Sequence, residues 1–130
     1  MTDLIEVKTA DLAGEALGWA VGMAEGLALH LEPPQYGNDW RVFAIYRGEA
    51  TERCERYNPW EAWALGGPLI ANRMVSLHCP QSTDDVWAGW VITGTGEFCH
   101  AGESALIAAC RAIVAGRLGD TVQVPKELMP

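Results

Sequence analysis

The segment SALIAACRAIVAGRLG, residues 104–119, constrains the fold more than any other part of the sequence. Its apolar residues recur at helical spacing and form one broad face. Ser104 directly precedes them and is a favoured N-cap residue, because its hydroxyl can accept a hydrogen bond from a free amide of the first turn. Gly119 follows as a stop signal. The segment therefore predicts a helix over 105–118 that must bury one face against another element.

A β-hairpin is predicted immediately before this helix. The apolar residues that recur at every second position, the period of a strand face, are Val86, Ala88, Trp90 and Ile92. The TGTGE segment supplies the turn, and residues 97–101 form the second strand of the hairpin. Trp87 and Trp90 fall on opposite faces of the strand. We therefore expect one of these two tryptophans to be more exposed than a core residue.

The rest of the chain predicts one more long helix and several short strands. Helical spacing over 9–24 indicates a helix with Thr9 as its N-cap and Gly26 as its stop. Short runs bounded by glycine or proline predict strands at 4–8, 27–34, 40–48, 74–78 and 121–124.

The segment EATERCERY fits two structures. Helical spacing pairs Glu49 with Arg53 and Glu52 with Arg56, which supports a solvated helical turn. The same residues can form the return strand of a hairpin. We assign the segment as irregular.

A glycine row marks the first long helix. Gly14, Gly18 and Gly22 lie four residues apart, and each costs about 0.8–1.0 kcal/mol of helix propensity relative to alanine. We predict that another element crosses close to the helix backbone there. The alternative is a groove that receives a partner.

A second glycine group interrupts the helical pattern of residues 57–74. Proline lacks an amide hydrogen and suits the first turn of a helix. Gly66 and Gly67 directly precede Pro68. We therefore predict a helical turn at 60–65, a break, and a helix that restarts at Pro68.

These elements predict a small α+β fold, either a two-layer or an α/β/α sandwich. The antiparallel sheet is assigned to 74–78, 86–92 and 97–101, with 40–47 as a further strand. The helices 9–24 and 104–118 are expected to cover it. The length favours one domain over 1–130, and residues 126–130 form a tail.

Charge and composition limit the classes of partner. Nine Lys and Arg residues against seventeen Asp and Glu residues give a formal net charge of −8. Such an excess repels nucleic-acid backbones and anionic membranes. The first residues resemble no signal peptide, so we expect a cytoplasmic protein with reduced thiols at Cys54, Cys79, Cys99 and Cys110.

The reactive residues of CHAGESALIAACRA do not form a catalytic cluster. Ser104 is assigned as a helix cap, Cys110 to the buried helix face and Arg111 to solvent. Cys99 and His100 are neighbours in a strand and point to opposite faces. The sequence holds no metal-ligand spacing such as CxxC or HxxxH, and its Gly-x-Gly lies in a hairpin turn. We expect no catalytic, metal or cofactor site.

Six tryptophans are many for a chain of this length. Most are expected in the core, but an exposed tryptophan suits a protein interface. An aromatic platform for single-stranded nucleic acid is the rival interpretation, and the acidic charge disfavours it. The residues considered as interaction or ligand candidates are Trp60, Trp63, Gly66, Gly67, Trp87 and Trp90.

Three segments resemble one family. YNPWEAWALGGPLI, residues 57–70, resembles the aromatic-x-Pro, Trp-Ala-x-Gly-Gly-Pro-x-Ile pattern of NinX-like proteins of tailed bacteriophages. Residues 104–125 are similar to the family's closing segment, a capped helix followed by Leu-Gly-Asp-x-Val-x-Val-Pro. The opening segment VKTADLAGEALGWAVGMAEG also resembles the start of the family pattern. Ser104 and Ala105 stand where the family often has Thr-Pro, so the cap is kept.

The resemblance implies a small accessory protein of a phage or prophage with an α/β sandwich, acting in the host cytoplasm. It implies no activity and no catalytic residues. Residues 27–56 match no part of the family pattern and are interpreted as a family-variable insertion.

Three functions follow as hypotheses. The first is a non-enzymatic protein that binds an unidentified host or phage protein or a second copy of itself, with neither membrane nor nucleic acid expected. The second is a ligand-binding domain or enzyme, with a site at Trp63, Gly66 and Gly67 and with His78, Cys99 or His100 across the sheet. The third is an acidic DNA mimic.

Overall fold

The computed structural model describes residues 3–130 and confirms the small α+β fold. The helices of the described chain are α1 (Gly14–Ala24), α2 (Trp63–Asn72) and α3 (Ala105–Leu118). The strands are β1 (Leu4–Lys8), β2 (Ala28–Glu32), β3 (Arg41–Arg47), β4 (Glu52–Arg56), β5 (Ser76–His78), β6 (Trp87–Thr93), β7 (Gly96–Gly102) and β8 (Thr121–Pro125). All pairings are antiparallel, in three sheets of order β1-β8, β2-β3-β4 and β5-β6-β7.

Helix α3 lies at the centre of the molecule. It packs against β6 and β7 on one side and against α1 and α2 on others. Ser104 caps it as predicted, since its hydroxyl accepts a hydrogen bond from the amide of Ile107 at 3.2 Å. Ala108, Ala112 and Val114 of this helix are fully buried. Of the apolar face predicted from the sequence, Leu106, Cys110, Ile113 and Val114 are buried in the core, whereas Leu118 at its end is 41% exposed.

Helix α1 begins later than the sequence predicted. Thr9 is not its N-cap: residues Thr9–Asp11 form a 3-10 turn, and the helix starts at Gly14, whose φ of +55° favours glycine. The pairing of β1 with β8 places Thr9 beside Gly119, and the buried Thr9 hydroxyl donates to the Gly119 carbonyl at 2.7 Å. The predicted stop at Gly26 is confirmed by its φ of +73°.

The segment 49–57 is a strand, not irregular. Glu52–Arg56 forms β4 and returns along β3 in a hairpin, so the pairs at helical spacing do not form. The assignment of 40–47 to the sheet of β6 was also wrong, because β3 lies between β2 and β4. Strand pairing outweighs the few tenths of a kcal/mol that one exposed helical ion pair contributes.

The predicted break at residues 66–68 is wrong as well. Helix α2 runs from Trp63 to Asn72 with Pro68 inside it. Proline removes one helical hydrogen bond. The helix continues because it is packed: a Cβ on Gly66 would lie 2.5 Å from the Leu106 side chain and 2.6 Å from the Pro59 carbonyl oxygen. Gly66 thus permits close approach to α3, whereas a Cβ on Gly67 would meet only the Trp63 ring, at 3.9 Å.

The glycine row of α1 has two roles. A Cβ on Gly18 would collide with the Trp60 ring and approach the Tyr57 carbonyl to 3.0 Å, and one on Gly22 would lie 2.6 Å from the Leu29 side chain. These two positions are close packing contacts, as predicted. Gly14 has open space around it and serves the backbone turn instead.

Arginines join the elements of the core to one another. Arg56 pairs with Glu15 of α1 and also donates to the Val42 carbonyl at 3.0 Å, so α1 is fixed to the β2-β3-β4 sheet. Arg111, assigned to solvent from the sequence, donates instead to the carbonyls of Leu12 and Ala101, each at 2.9 Å. It holds α3 against β7 and the chain that leads into α1.

Candidate interaction surface

The β5-β6-β7 sheet has one face covered by α3 and one face open. On the covered face, a Cβ on Gly89 would lie 2.6 Å from the carbonyl oxygen of Ala108, and Gly102 is equally close to the backbone of α3. Val91, two residues after Gly89, is only 4% exposed. Small residues therefore allow the helix backbone to lie directly on the sheet at this face.

The open face carries the predicted alternating apolar row, which we name the β6 row: Val86, Ala88, Trp90 and Ile92. Val86 and Trp90 are each 46% exposed and Ile92 is 73% exposed. Cross-strand partners share a face, so the register adds Ser76 and Cys99 beside Trp90, His78 and Ala101 beside Ala88, and Glu97 beside Ile92. Helix α1, which was also expected to cover this sheet, packs instead on α3 and on the other two sheets, so this apolar row is a surface.

A shallow hollow of about 350 Å³ lies along this face. Its lining residues, none of them Lys, Arg, Asp or Glu, are Ser76, Leu77, His78, Ala88, Trp90, Ile92 and Cys99. A second hollow of about 210 Å³ also borders Ile92, but it lies toward α3, because its lining includes Val91, Ile113, Gly116, Arg73 and Arg117. Ile92 therefore borders one hollow on the open face and another between the sheet and α3.

Acidic side chains stand at both ends of the β6 row. Glu97 pairs with Ile92 in the register, and Asp84 and Asp85 directly precede Val86. Backbone amides of Gln81 and Val86 donate to Asp85 and lower its pKa, so this carboxylate stays charged at neutral pH. The surface is apolar along its length and has carboxylates at both ends, with Arg117 beside the hollow that borders Ile92 toward α3.

The predicted tryptophan candidates lie in three different places. Trp90 is on the open face, and Trp87 lies half-buried on the face toward α3. Trp60 packs on Gly18 and receives the Arg56 guanidinium over its ring at 5.6 Å, so it belongs to the core. Trp63 is 58% exposed at the start of α2.

The structure divides the residues of the ligand-site hypothesis. Trp60 and Trp63 line a hollow of about 380 Å³ beside the first turn of α3. His78 and Cys99 line the hollow on the open face instead. His100 lies on the covered face, where burial lowers its pKa. These groups are therefore not brought together into one site.

The cysteines and histidines of the described chain do not converge on a metal. No group of three or more His, Cys, Asp or Glu side chains within residues 3–130 is placed to hold one. Cys110 is buried in α3, and burial raises the pKa of its thiol to about 12. Cys54, Cys79 and Cys99 are exposed.

Sequence reasoning missed the outward direction of the β6 row, although the signal for it was present. Gly89 and Gly102 lie on the face opposite the row, and α3 carries alanine where it meets them. Glycine in a strand marks close approach of another backbone. The two glycines thus indicate which face the helix covers.

The fold and this surface define a small α+β protein, built around one central helix, with an uncovered apolar sheet face. The chain belongs to the family described as Bacteriophage P22, NinX, whose family model matches residues 8–117. It is therefore a phage protein by family, as the sequence resemblance predicted, and the matched range includes residues 27–56. A comparison with curated proteins gives no match. None of the helices within residues 3–130 is both long and apolar enough to cross a membrane.

Proposed function

We propose that this protein is a non-enzymatic phage accessory protein that acts by binding another protein through the open face of the β5-β6-β7 sheet, inside the bacterial host. The exposed β6 row carries the proposal. Contiguous apolar patches with a polar rim mark interaction sites on soluble proteins. Trp90 at the centre of such a patch is the residue type that most often anchors a protein interface.

The exposure of Ile92 supports an interface more than a catalytic role. A 73% exposed isoleucine contributes little to stability, since most of its surface stays in water. Catalysis needs titratable groups in mutual reach. On this face, His78 and Cys99 flank the β6 row from opposite strands, β5 and β7, with β6 between them.

Affinity capture from a lysate of phage-infected host cells tests the proposal. The bait proteins are the wild type, Ile92→Ser on the open face, and Met23→Ser as a matched control. Met23 is 50% exposed on α1, away from the β6 row. We expect a protein that is retained by the wild type and the Met23→Ser variant and lost with Ile92→Ser. Retention of the same proteins by all three baits would refute the open face as the interface.

A further inference from the structure

The open face has the dimensions of one α-helix. Strand β6 has 7 residues, which gives a length of about 23 Å. Helix α3, which covers the opposite face, has 14 residues, a length of about 21 Å. The outer strands of a three-stranded sheet lie roughly 10 Å apart, close to the diameter of a helix. A helix on the open face would therefore mirror α3 and complete an α/β/α sandwich.

We propose that the occupant of the open face is an amphipathic α-helix of a partner protein, with basic residues flanking its apolar stripe. The inference rests on the proposed function and specifies the kind of partner. An apolar stripe at i, i+3, i+4 and i+7 matches a linear apolar row such as Val86 to Ile92. Trp90 and Ile92 act as anchors, with the hollow beside them receiving the partner's side chains.

Charge complementarity predicts which residues flank the apolar stripe of the partner helix. The chain carries a net charge of −8, and Glu97, Asp84 and Asp85 stand at the ends of the β6 row. Lysine or arginine beside the partner's apolar stripe would meet these carboxylates, which raises the association rate and fixes orientation. The hollow itself is lined by uncharged side chains and His78, so the centre of the contact is apolar.

Area and charge disfavour a second copy as the occupant. The flat footprint of the face is roughly 200–300 Å² by strand length and spacing, whereas a stable specific interface covers about 800 Å² of each partner. Two chains that each carry −8 also repel one another. A short basic helix needs less area for a transient, micromolar contact and gains attraction in place of repulsion.

A synthetic peptide with capped ends and the length of α3 serves as the probe. It carries leucines at i, i+3, i+4 and i+7 and lysines on both flanks. One control peptide has the same composition in scrambled order, and a second has glutamate in place of lysine. A helix this short is marginal alone in water. Binding should therefore raise the peptide's helicity in circular dichroism and shift the fluorescence of Trp90, identified by comparison with Trp90→Phe.

The expected result is micromolar binding of the basic helical peptide that weakens as salt is added. Ile92→Ser should weaken it about tenfold or more, because one buried isoleucine contributes at least one power of ten in affinity. Met23→Ser should leave it unchanged. Bound peptide should also protect the Cys99 thiol from alkylation while Cys54, on the other sheet, stays reactive. Thermal melts confirm that each variant remains folded.

Several outcomes would overturn the inference. One is an affinity that is equal for all three peptides or unchanged by Ile92→Ser. Another is a wild-type dimer in sedimentation equilibrium that Ile92→Ser dissociates, since the face would then be covered by a second copy. If a lysate partner depends on Ile92 but the peptide does not bind, the proposed function stands and the helical partner is refuted. If neither depends on Ile92, both fail.

Discussion

The two faces of the β5-β6-β7 sheet differ in how closely another element can approach their backbone. The face that α3 covers presents glycine at Gly89 and Gly102, while the open face presents Trp90 and Ile92. The covered face also presents the apolar side chains of Val91 and Phe98, so apolar area alone does not distinguish the two faces. The difference lies in shape, because the two glycines let the backbone of α3 approach the sheet closely around Ala108 and pack tightly there.

This arrangement places residues that stabilise the fold and residues of the proposed interaction surface within one strand. Val91 and Ile92 are neighbours in β6, yet the first is 4% and the second 73% exposed. Residues on the covered face hold the fold together, and residues on the open face are free to meet a partner. Four pairs of substitutions test that division, beginning with the pair expected to show the largest loss of stability.

Gly89→Ala should have the largest effect on stability. The added Cβ would lie 2.6 Å from the Ala108 carbonyl oxygen, a backbone atom that moves only if α3 moves. We expect a loss of about 3 kcal/mol in the free energy of unfolding, measured by urea denaturation. Ala88→Val, one residue earlier and on the open face, should change it by less than about 0.5 kcal/mol. Equal effects would show that the two faces are packed alike.

Val91→Ala and Ile92→Ala form the next pair. Val91 is buried against α3, so removing its methyl groups should cost about 2 kcal/mol through lost burial and a small cavity. Ile92 is larger but mostly in water, and its truncation should cost less than about 0.5 kcal/mol. The same urea titrations measure both. A greater loss for Ile92→Ala would mean that the open face is covered by part of this chain.

Arg111→Met tests how α3 is held on the covered face. The guanidinium donates to the carbonyls of Leu12 and Ala101, and methionine keeps its apolar length without the donors. We expect a loss of about 1.5 kcal/mol, since hydrogen bonds from a charged group contribute more than neutral ones. Arg117→Met, in the last turn of the same helix, is the control and should be nearly neutral. Comparable losses from both variants would remove Arg111 from this role.

Local signals in the sequence predicted the elements that local interactions determine. The hydroxyl of Ser104 and the stop at Gly119 fixed the bounds of α3, and the period of two identified β6. Thr9 is not a cap because the chain forms a 3-10 turn there, and its buried hydroxyl donates to a carbonyl 110 residues away. No local pattern shows such a partner.

Distant contacts determined the rest. Pro68 remains within a helix because Gly66 lets α2 pack on Leu106, and β4 forms because β3 is available to pair with it. The candidate surface, too, could be predicted only in part from local patterns. Periodicity identified the β6 row and predicted that Trp87 or Trp90 would be exposed, but only the position of α3 decides that it is Trp90.

The smallest expected effect is a change of stability with pH that is caused by a histidine on the covered face. His100 lies on that face opposite Gly89. Burial lowers its pKa below the usual 6.5 and Arg111 adds to the lowering, while Asp120 acts in the opposite direction. As the pH falls through 6.5, the unfolded chain takes up a proton at His100 before the folded protein does. Stability should therefore decline on acidification in this range, and His100→Gln should make the decline shallower.

His78→Gln is the matched control, because His78 is exposed on the open face at the same sheet. Thermal midpoints of the wild type and both variants, measured between about pH 7.5 and pH 5.5, compare the two histidines around the usual pKa of the side chain. A shallower decline with His100→Gln alone assigns the proton uptake to the covered face. If His78→Gln flattens the curve as much, burial under α3 does not distinguish the two histidines. The packed and open faces would then not differ in how their histidines make stability depend on pH.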